Sequence, residues 1–306
     1  MEALILRARR YAALVAGAAV IGLTTTNTAA FASPGEAVGL TASEQQAAIT
    51  QTVQAAKERW GLTLDPADYK VVDTGTGIAV QPQGMPNVEV VKHKNADGSS
   101  GAVTASLDVA ADPARLDEQL HSQAEISWYA PRCADWITDE DDVGKMLKCW
   151  QWGRIPYPNG ERNEIYKAYS SCLPTGSGTW LSREIDECYD NAARDRDGAP
   201  FTWHDYSPRS TTTLSTCSDI PLSVTAYGFT AGTVVRTCQK LVPEWGAEPG
   251  DFGTRWIGDA WKSEDVRETG HMMALSSPLG YWAGLTANWG YTWSSCSPGG
   301  ILDPCG

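Results

Sequence analysis

The chain has 306 residues, and its 24 Lys and Arg against 37 Asp and Glu give a formal net charge of −13. A negative surface repels phosphate backbones and anionic lipids, which argues against charge-driven binding to nucleic acid or to membranes. The length allows a sizeable core in one or two domains.

Residues 1–32 have the pattern of a secretory signal peptide. Three arginines between positions 7 and 10 precede an apolar run from 11 to 23, and Ala30-Phe31-Ala32 supplies the small residues that signal peptidase requires. We therefore predict cleavage after Ala32 and a secreted, extracellular protein. Its 21 basic and 36 acidic residues would give a net charge of −15. No later segment is apolar enough to predict a stable membrane anchor.

Residues 33–120 differ in composition from residues 121–306. The first range has no cysteine and only two aromatic residues, whereas the second contains all eight cysteines and 12 of the 13 tryptophans. A single core is expected to mix its large side chains more evenly, so the sequence predicts a domain boundary near residue 120. The polar stretch 111–123 is the expected linker.

The first range predicts a small α+β unit. Ser43 as a helix N-cap, with Gln46 three residues later, begins a helical pattern of apolar residues that ends at Gly61. This unit is interpreted as an accessory domain or, alternatively, as a propeptide that is cut away. The expected strands, of which the last two form a hairpin, are 69–72, 78–80, 88–91 and 102–109.

The second range predicts an all-β domain, either a sandwich or a barrel. Apolar and small polar residues alternate from Tyr281 to Ser294, which puts Trp289 on the apolar face and Trp282 on the opposite face. Two segments, 139–148 and 181–194, have the pattern of helices. Further strands, separated by Gly and Pro turns, are expected at 125–129, 222–229, 233–238, 254–261 and 270–275.

The even number of cysteines in an exported chain indicates a disulfide framework. Pairing in order along the chain is the simplest arrangement, because the first two pairs then have equal spacing. A zinc site would need closely spaced cysteines or nearby histidines, and neither occurs. The predicted disulfides are Cys133–Cys149, Cys172–Cys188, Cys217–Cys238 and Cys296–Cys305.

The sequence identifies no catalytic residue. His204 lies next to Asp205, and His271 lies three residues after Glu268, and a His–carboxylate pair can orient a general base. Pairs of this kind are common on protein surfaces. Two acidic segments, 139–144 and 195–198, resemble parts of a calcium-binding loop but lack oxygen ligands at required positions. We expect neither a metal nor a cofactor.

The tryptophans give the best indication of function. Most are expected in the core, because indole rings bury a large area. Trp282, opposite the apolar face of its strand, and Trp150 and Trp152, which share one face of an extended segment, are candidate ligand-binding residues. Exposed aromatic rings beside small polar residues suit stacking on a sugar or docking on a partner.

The sequence therefore favours a secreted, non-catalytic binding protein that recognises an extracellular polymer or a protein surface. One alternative is a secreted hydrolase of polysaccharide or peptide that uses two carboxylates or a His–carboxylate pair. A third is a toxin-like β protein whose long alternating strand at 281–294 pairs with, or inserts into, another molecule.

Overall fold

One α-helix, one short 3₁₀ helix (Pro66–Asp68) and seventeen strands are the regular elements in the part of the chain that the structure describes. The computed structural model describes residues 39–96, 98–110, 125–137, 144–174, 182–195, 198–245, 251–260 and 267–296. The helix α1 covers Ala42–Trp60. The strands are β1 (Tyr69–Asp73), β2 (Ile78–Pro82), β3 (Glu89–Lys94), β4 (Ser100–Asp108), β5 (Ser127–Trp128), β6 (Arg132–Ile137), β7 (Gly144–Ile155), β8 (Glu161–Pro174), β9 (Ser182–Arg194), β10 (Thr202–Ser207), β11 (Thr212–Thr213), β12 (Ser218–Ala226), β13 (Phe229–Thr237), β14 (Lys240–Trp245), β15 (Phe252–Ala260), β16 (Arg267–Pro278) and β17 (Leu285–Cys296).

The strands form two large antiparallel sheets and one separate hairpin. The first sheet has the order β1-β2-β6-β7-β8-β16-β10, with β5 paired to the far end of β7. The second sheet has the order β11-β14-β15-β9-β17-β4-β3. Strands β12 and β13 pair only with each other and form the hairpin. The fold is therefore β-rich and sandwich-like.

The main core lies between the two sheets and is dominated by aromatic rings. The predicted alternation is confirmed from Leu285 onward, because Trp289, Tyr291 and Trp293 of β17 are all buried there. Tyr281, which was expected on the same face, precedes the strand and is exposed. Trp136, Trp150 and other large side chains face them from the first sheet. Burial of this much ring surface is the largest favourable contribution to folding that the structure offers.

A second core covers the outer face of the first sheet. Helix α1 packs there through Ile49 and Ala56, and the β12–β13 hairpin packs beside it. Thr41, rather than the predicted Ser43, caps the helix, and Glu44 completes the capping box. The helix ends at Gly61, as predicted, and this residue has the left-handed backbone (φ 66°) that glycine adopts without steric penalty.

The predicted division into two domains is wrong. Strands β1 and β2 hydrogen-bond into the first sheet through β6, and β3 and β4 hydrogen-bond into the second sheet through β17. The described residues all lie in one compact unit that spans Gly35–Gly306. Removing residues 33–120 as a propeptide would take strands away from both sheets. The predicted linker at 111–123 lies entirely outside the described residues.

The two helices predicted in the second range are strands. Of the helix predicted at 139–148, residues 144–148 begin β7 and the rest lie outside the described residues; of the helix predicted at 181–194, residues 182–194 form β9. Both strands bury charged side chains, Lys148 and Asp190, on their inward faces. Such strands do not show the alternation of apolar and polar residues that identifies a strand from sequence.

The cysteine framework is confirmed for the three pairs that the structure describes: Cys133–Cys149, Cys172–Cys188 and Cys217–Cys238. Cys296 is also disulfide-bonded, and Cys305, its predicted partner, lies outside the described residues. Disulfides of this number are typical of an oxidising compartment. The predicted signal peptide at 1–32 lies outside the described residues. None of the helices described is long and apolar enough to cross a membrane.

Candidate functional site

Polar and aromatic side chains from five segments converge at one end of the first sheet, beside the turn of the β12–β13 hairpin. We call this group the hairpin-tip site. The loop after β7 contributes two of its residues, and the start of β8, strand β10, the hairpin turn and the end of β16 contribute one each. The site consists of Tyr157, Asn159, Glu161, His204, Tyr227 and Ser276.

The hairpin turn brings Tyr227 to this site. Tyr227 and Gly228 are the two residues between the paired Ala226 and Phe229, and both have positive φ angles (53° and 83°). Positive φ at both central residues is the signature of a type I′ turn, whose twist matches that of the flanking strands. A tyrosine in this conformation is unusual, and here its side chain is held by contacts on several sides.

Hydrogen bonds connect the polar groups of the site. The Nε2 atom of His204 lies 2.9 Å from the Tyr227 hydroxyl and 2.9 Å from Ser276 Oγ. The Tyr227 hydroxyl also donates to Glu161 Oε2 at 3.4 Å, and Asn159 Nδ2 donates to the same carboxylate at 2.9 Å. Desolvation, together with the nearby Glu161 carboxylate, raises the pKa of Tyr227 above its ordinary value, although the hydrogen bond to Ser276 opposes the shift.

The aromatic part of the site is a stacked pair of tyrosines. The rings of Tyr157 and Tyr227 are 4.4 Å apart between centroids and 16° from parallel, and His204 packs its edge against Tyr227. The Tyr157 side chain is 42% exposed. A rigid ring with an accessible face, next to a carboxylate, an amide and an imidazole, can stack on an apolar sugar face while the polar groups bind its hydroxyls.

A groove also borders the hairpin turn, at Gly228. It has a volume of about 410 Å³, and Trp128 and Phe229 supply its aromatic lining. The Lys167 ammonium lies 4.3 Å from the centroid of the Trp128 ring, a cation–π contact that fixes the indole. Trp128 and Tyr157 are therefore two partly exposed rings near one hairpin turn.

The structure does not bring the sequence-predicted tryptophans together at a surface. Trp150 and Trp152 both lie in the core between the sheets, where they are fully buried. The expectation that they are exposed is wrong, because β7 turns this face toward the second sheet. Trp282 is partly buried and precedes β17, with the Arg162 guanidinium over its ring and the Tyr129 ring at 6.3 Å.

Neither histidine pairs with the carboxylate beside it in the sequence. His204 belongs to the hairpin-tip site, whereas the Asp205 carboxylate accepts hydrogen bonds from Arg209 and from the backbone of Thr225. His271 is fully buried between the sheets, where its Nδ1 is 3.5 Å from Asp190 Oδ1. Burial lowers the pKa of His271 to about 4, despite the nearby Asp190, so this imidazole is neutral at physiological pH.

Three carboxylates meet where the start of β9 lies beside the end of β15. The ligand atoms of Glu184, Asp186 and Asp259 lie within 4.8 Å of one another. Desolvation, aided by the neighbouring acids, raises the pKa of Asp186 to about 6, although Ser294 Oγ donates to it at 2.9 Å. At neutral pH the negative charges of such a cluster repel one another, which lowers the stability of the fold.

Sequence reasoning missed the hairpin-tip site except for His204. Its members are scattered from Tyr157 to Ser276 and share no motif. One local signal was available: the dipeptide Tyr227-Gly228 between two apolar runs fits a two-residue hairpin turn. The sequence matches no protein-family model and no curated protein.

Proposed function

We propose that this protein is a secreted binding protein that recognises a glycan chain of an extracellular polymer through the hairpin-tip site. The observation that carries the proposal is the stacked pair of tyrosines, with the exposed Tyr157 ring set among Asn159, Glu161 and His204. The predicted signal peptide and the disulfides support an extracellular location.

The site is organised before any ligand arrives. Tyr227 holds one face of Tyr157, and the hydroxyl of Tyr227 is itself held by His204 and Glu161. Because these side chains are already ordered, binding a sugar loses little of their conformational entropy. The negative net charge favours a neutral or cationic polymer over a polyanion.

A hydrolase remains the second candidate, because Ser276 Oγ lies within hydrogen-bonding distance of His204 Nε2. Binding is the better-supported function for two reasons. The Nε2 atom is shared with the Tyr227 hydroxyl, and Ser276 is the buried member of the site, away from a substrate at its surface. Among the described residues, no carboxylate hydrogen-bonds to Nδ1 of His204, as the orienting acid of a serine hydrolase would.

The toxin-like alternative depended on the long alternating strand. In the structure this strand is β17, which is hydrogen-bonded on both sides, to β4 and to β9. Its apolar face is occupied by the core. It therefore offers neither a free edge nor a free apolar face to a partner.

The test is a pull-down on insoluble cellulose, chitin and peptidoglycan, followed by titration with soluble fragments of whichever polymer binds. Tyr157→Ala should weaken binding about tenfold, since loss of a ring stack and its buried area removes on the order of 1.4 kcal/mol. The matched control is Tyr281→Ala, which removes a ring that is 61% exposed but lies outside the site.

Binding that is equally strong in the wild type and in Tyr157→Ala would overturn the assignment of the site. Absence of binding to all three polymers and their fragments would overturn the choice of ligand class. Release of soluble products from a polymer by the wild type, with loss of this release in Ser276→Ala, would establish the hydrolase instead.

A further inference from the structure

The core between the sheets contains a lysine and an aspartate in direct contact. Lys148 comes from β7 of the first sheet and Asp190 from β9 of the second, and the side chains of both are 0% exposed. The Lys148 ammonium nitrogen contacts Asp190 Oδ1, and His271 Nδ1 from β16 lies 3.5 Å from the same oxygen. The proposed binding surface does not use any of these groups.

Aromatic rings enclose this group. The Tyr166 ring centroid is 6.0 Å from Lys148 Nζ, and the rings of Tyr166 and Phe252 each lie 5.7 Å from that of His271. Asp190 Oδ2 and both ring nitrogens of His271 have no hydrogen-bond partner among the described residues. A buried ion pair is stabilised only when further hydrogen bonds satisfy its remaining donors and acceptors. Here several of these hydrogen-bonding atoms are left without a partner among the described residues.

A disulfide beside this ion pair holds the two sheets in position around it. Met146, two residues before Lys148, pairs across the first sheet with Cys172. Cys172 is disulfide-bonded to Cys188, which lies two residues before Asp190. The disulfide therefore fixes the spacing of the two sheets beside the point where the lysine meets the aspartate.

We propose that Lys148 and Asp190 are joined by an amide bond that crosslinks the two sheets. The reaction needs no partner beyond the side chains already present. Transfer of a proton from the ammonium to the carboxylate first gives a neutral amine and a neutral carboxylic acid. The Nζ lone pair then attacks Cγ, the new Nζ–Cγ bond forms, and one Cγ–O bond breaks as water leaves.

His271 is placed to carry the proton in this reaction. A neutral imidazole accepts a proton from the attacking nitrogen and donates it to the departing hydroxyl, so the ring ends the reaction unchanged. Burial lowers the pKa of Lys148, which favours the nucleophilic amine, and keeps His271 neutral. The product also removes two charges from a dry interior, where separate charges are unfavourable.

The intact mass of the secreted protein tests this proposal directly. After complete reduction and alkylation, the measured mass should be lower than the mass of the unlinked chain by one water molecule. Proteolysis should yield one branched peptide that contains both Lys148 and Asp190. The full calculated mass, with the two residues in separate linear peptides, would show a non-covalent ion pair and overturn the proposal.

Two variants identify the atoms involved. Lys148→Met keeps a long unbranched side chain but has no nucleophile, so it should show the full calculated mass. Asp190→Asn should lose ammonia instead of water and reach the same final mass as the linked wild type, because both reactions give the same amide. Asp-Gly sequences such as Asp97-Gly98 also lose water when the aspartate cyclises onto the next backbone nitrogen. If Lys148→Met still shows the mass lower by one water, the loss comes from such a cyclisation, and the crosslink is refuted.

Discussion

The carboxyl group of Asp135 offers a quantitative test of how α1 is attached to the first sheet. Asp135 lies on β6 beneath the helix, and Thr52 Oγ1 is 2.9 Å from its Oδ2 and 3.1 Å from the backbone oxygen of Ala48. Desolvation raises the pKa of Asp135 from its ordinary value of 3.8 to about 6, although Thr52 and the positive Lys145 and Arg59 oppose the shift.

The sign of the effect on stability follows from this shift. Between about pH 4 and about pH 6 the folded chain holds a proton on Asp135 that the unfolded chain has lost, so the free energy of unfolding falls as the pH rises. A shift of about two pKa units corresponds to about 3 kcal/mol. This contribution is fully present below about pH 4 and fully lost above about pH 6 to 7.

Asp135→Asn removes the charge and keeps the shape. The amide NH₂ can donate to Thr52 Oγ1 while that hydroxyl donates to Ala48, so the hydrogen bonds persist. We expect the variant to unfold with up to about 3 kcal/mol more free energy than the wild type above about pH 7, and with nearly the same free energy below about pH 4. Urea denaturation across this pH range, followed by tryptophan fluorescence, measures the difference.

The control is Asp219→Asn, which changes an exposed carboxylate that forms a surface ion pair with Arg236 at 3.4 Å. Exposed pairs contribute little, so this variant should differ from the wild type by less than about 1 kcal/mol at every pH. An Asp135→Asn variant that is destabilised at every pH, or whose advantage does not depend on pH, would refute the assignment of a buried carboxyl with a raised pKa.

Two further predictions concern the core and the acidic cluster. Trp289→Ala should lower the free energy of unfolding by about 3–5 kcal/mol, because its indole is fully buried, whereas Trp282→Ala, at a partly exposed ring, should lower it much less; equal losses in denaturant titrations would contradict the burial of the two rings. Asp186→Asn should raise the melting temperature above about pH 6 and leave it unchanged below about pH 4, because it removes a charge that burial and nearby acids disfavour. A melting temperature that falls at neutral pH would instead indicate that the Asp186 charge is used, for example by a bound cation.

The sequence predicted those elements whose local pattern agrees with their environment. The helix that ends at Gly61 and the alternating strand through Trp289 follow directly from periodicity, and three disulfides follow from the order of the cysteines. Strands β7 and β9 escaped prediction because Lys148 and Asp190 face inward, where the pattern expects apolar residues. Each of these two residues has the other as its partner on the opposite sheet, and a local pattern cannot reveal a contact between distant segments.

The domain boundary failed for a different reason. The small side chains of β4, such as Val103 and Ala105, pack in the same core as the large rings of β17. The difference in composition reflects complementary packing of small against large side chains and not two separate cores. The hairpin-tip site could not be predicted from the sequence, because its residues come together only when β8, β10, β16 and the hairpin are assembled.

The position of β4 governs the order in which the chain can assemble. Its Gly101 pairs with Trp293, so the second sheet joins an early strand to the last strand of the described chain. A ribosome delivers the N-terminal strands long before β17 exists, and contacts between such distant residues close slowly. Until then β4 has β3 on one side only, with its other edge free to pair with a neighbouring chain. During synthesis, this strand is where we expect a chaperone to be most useful.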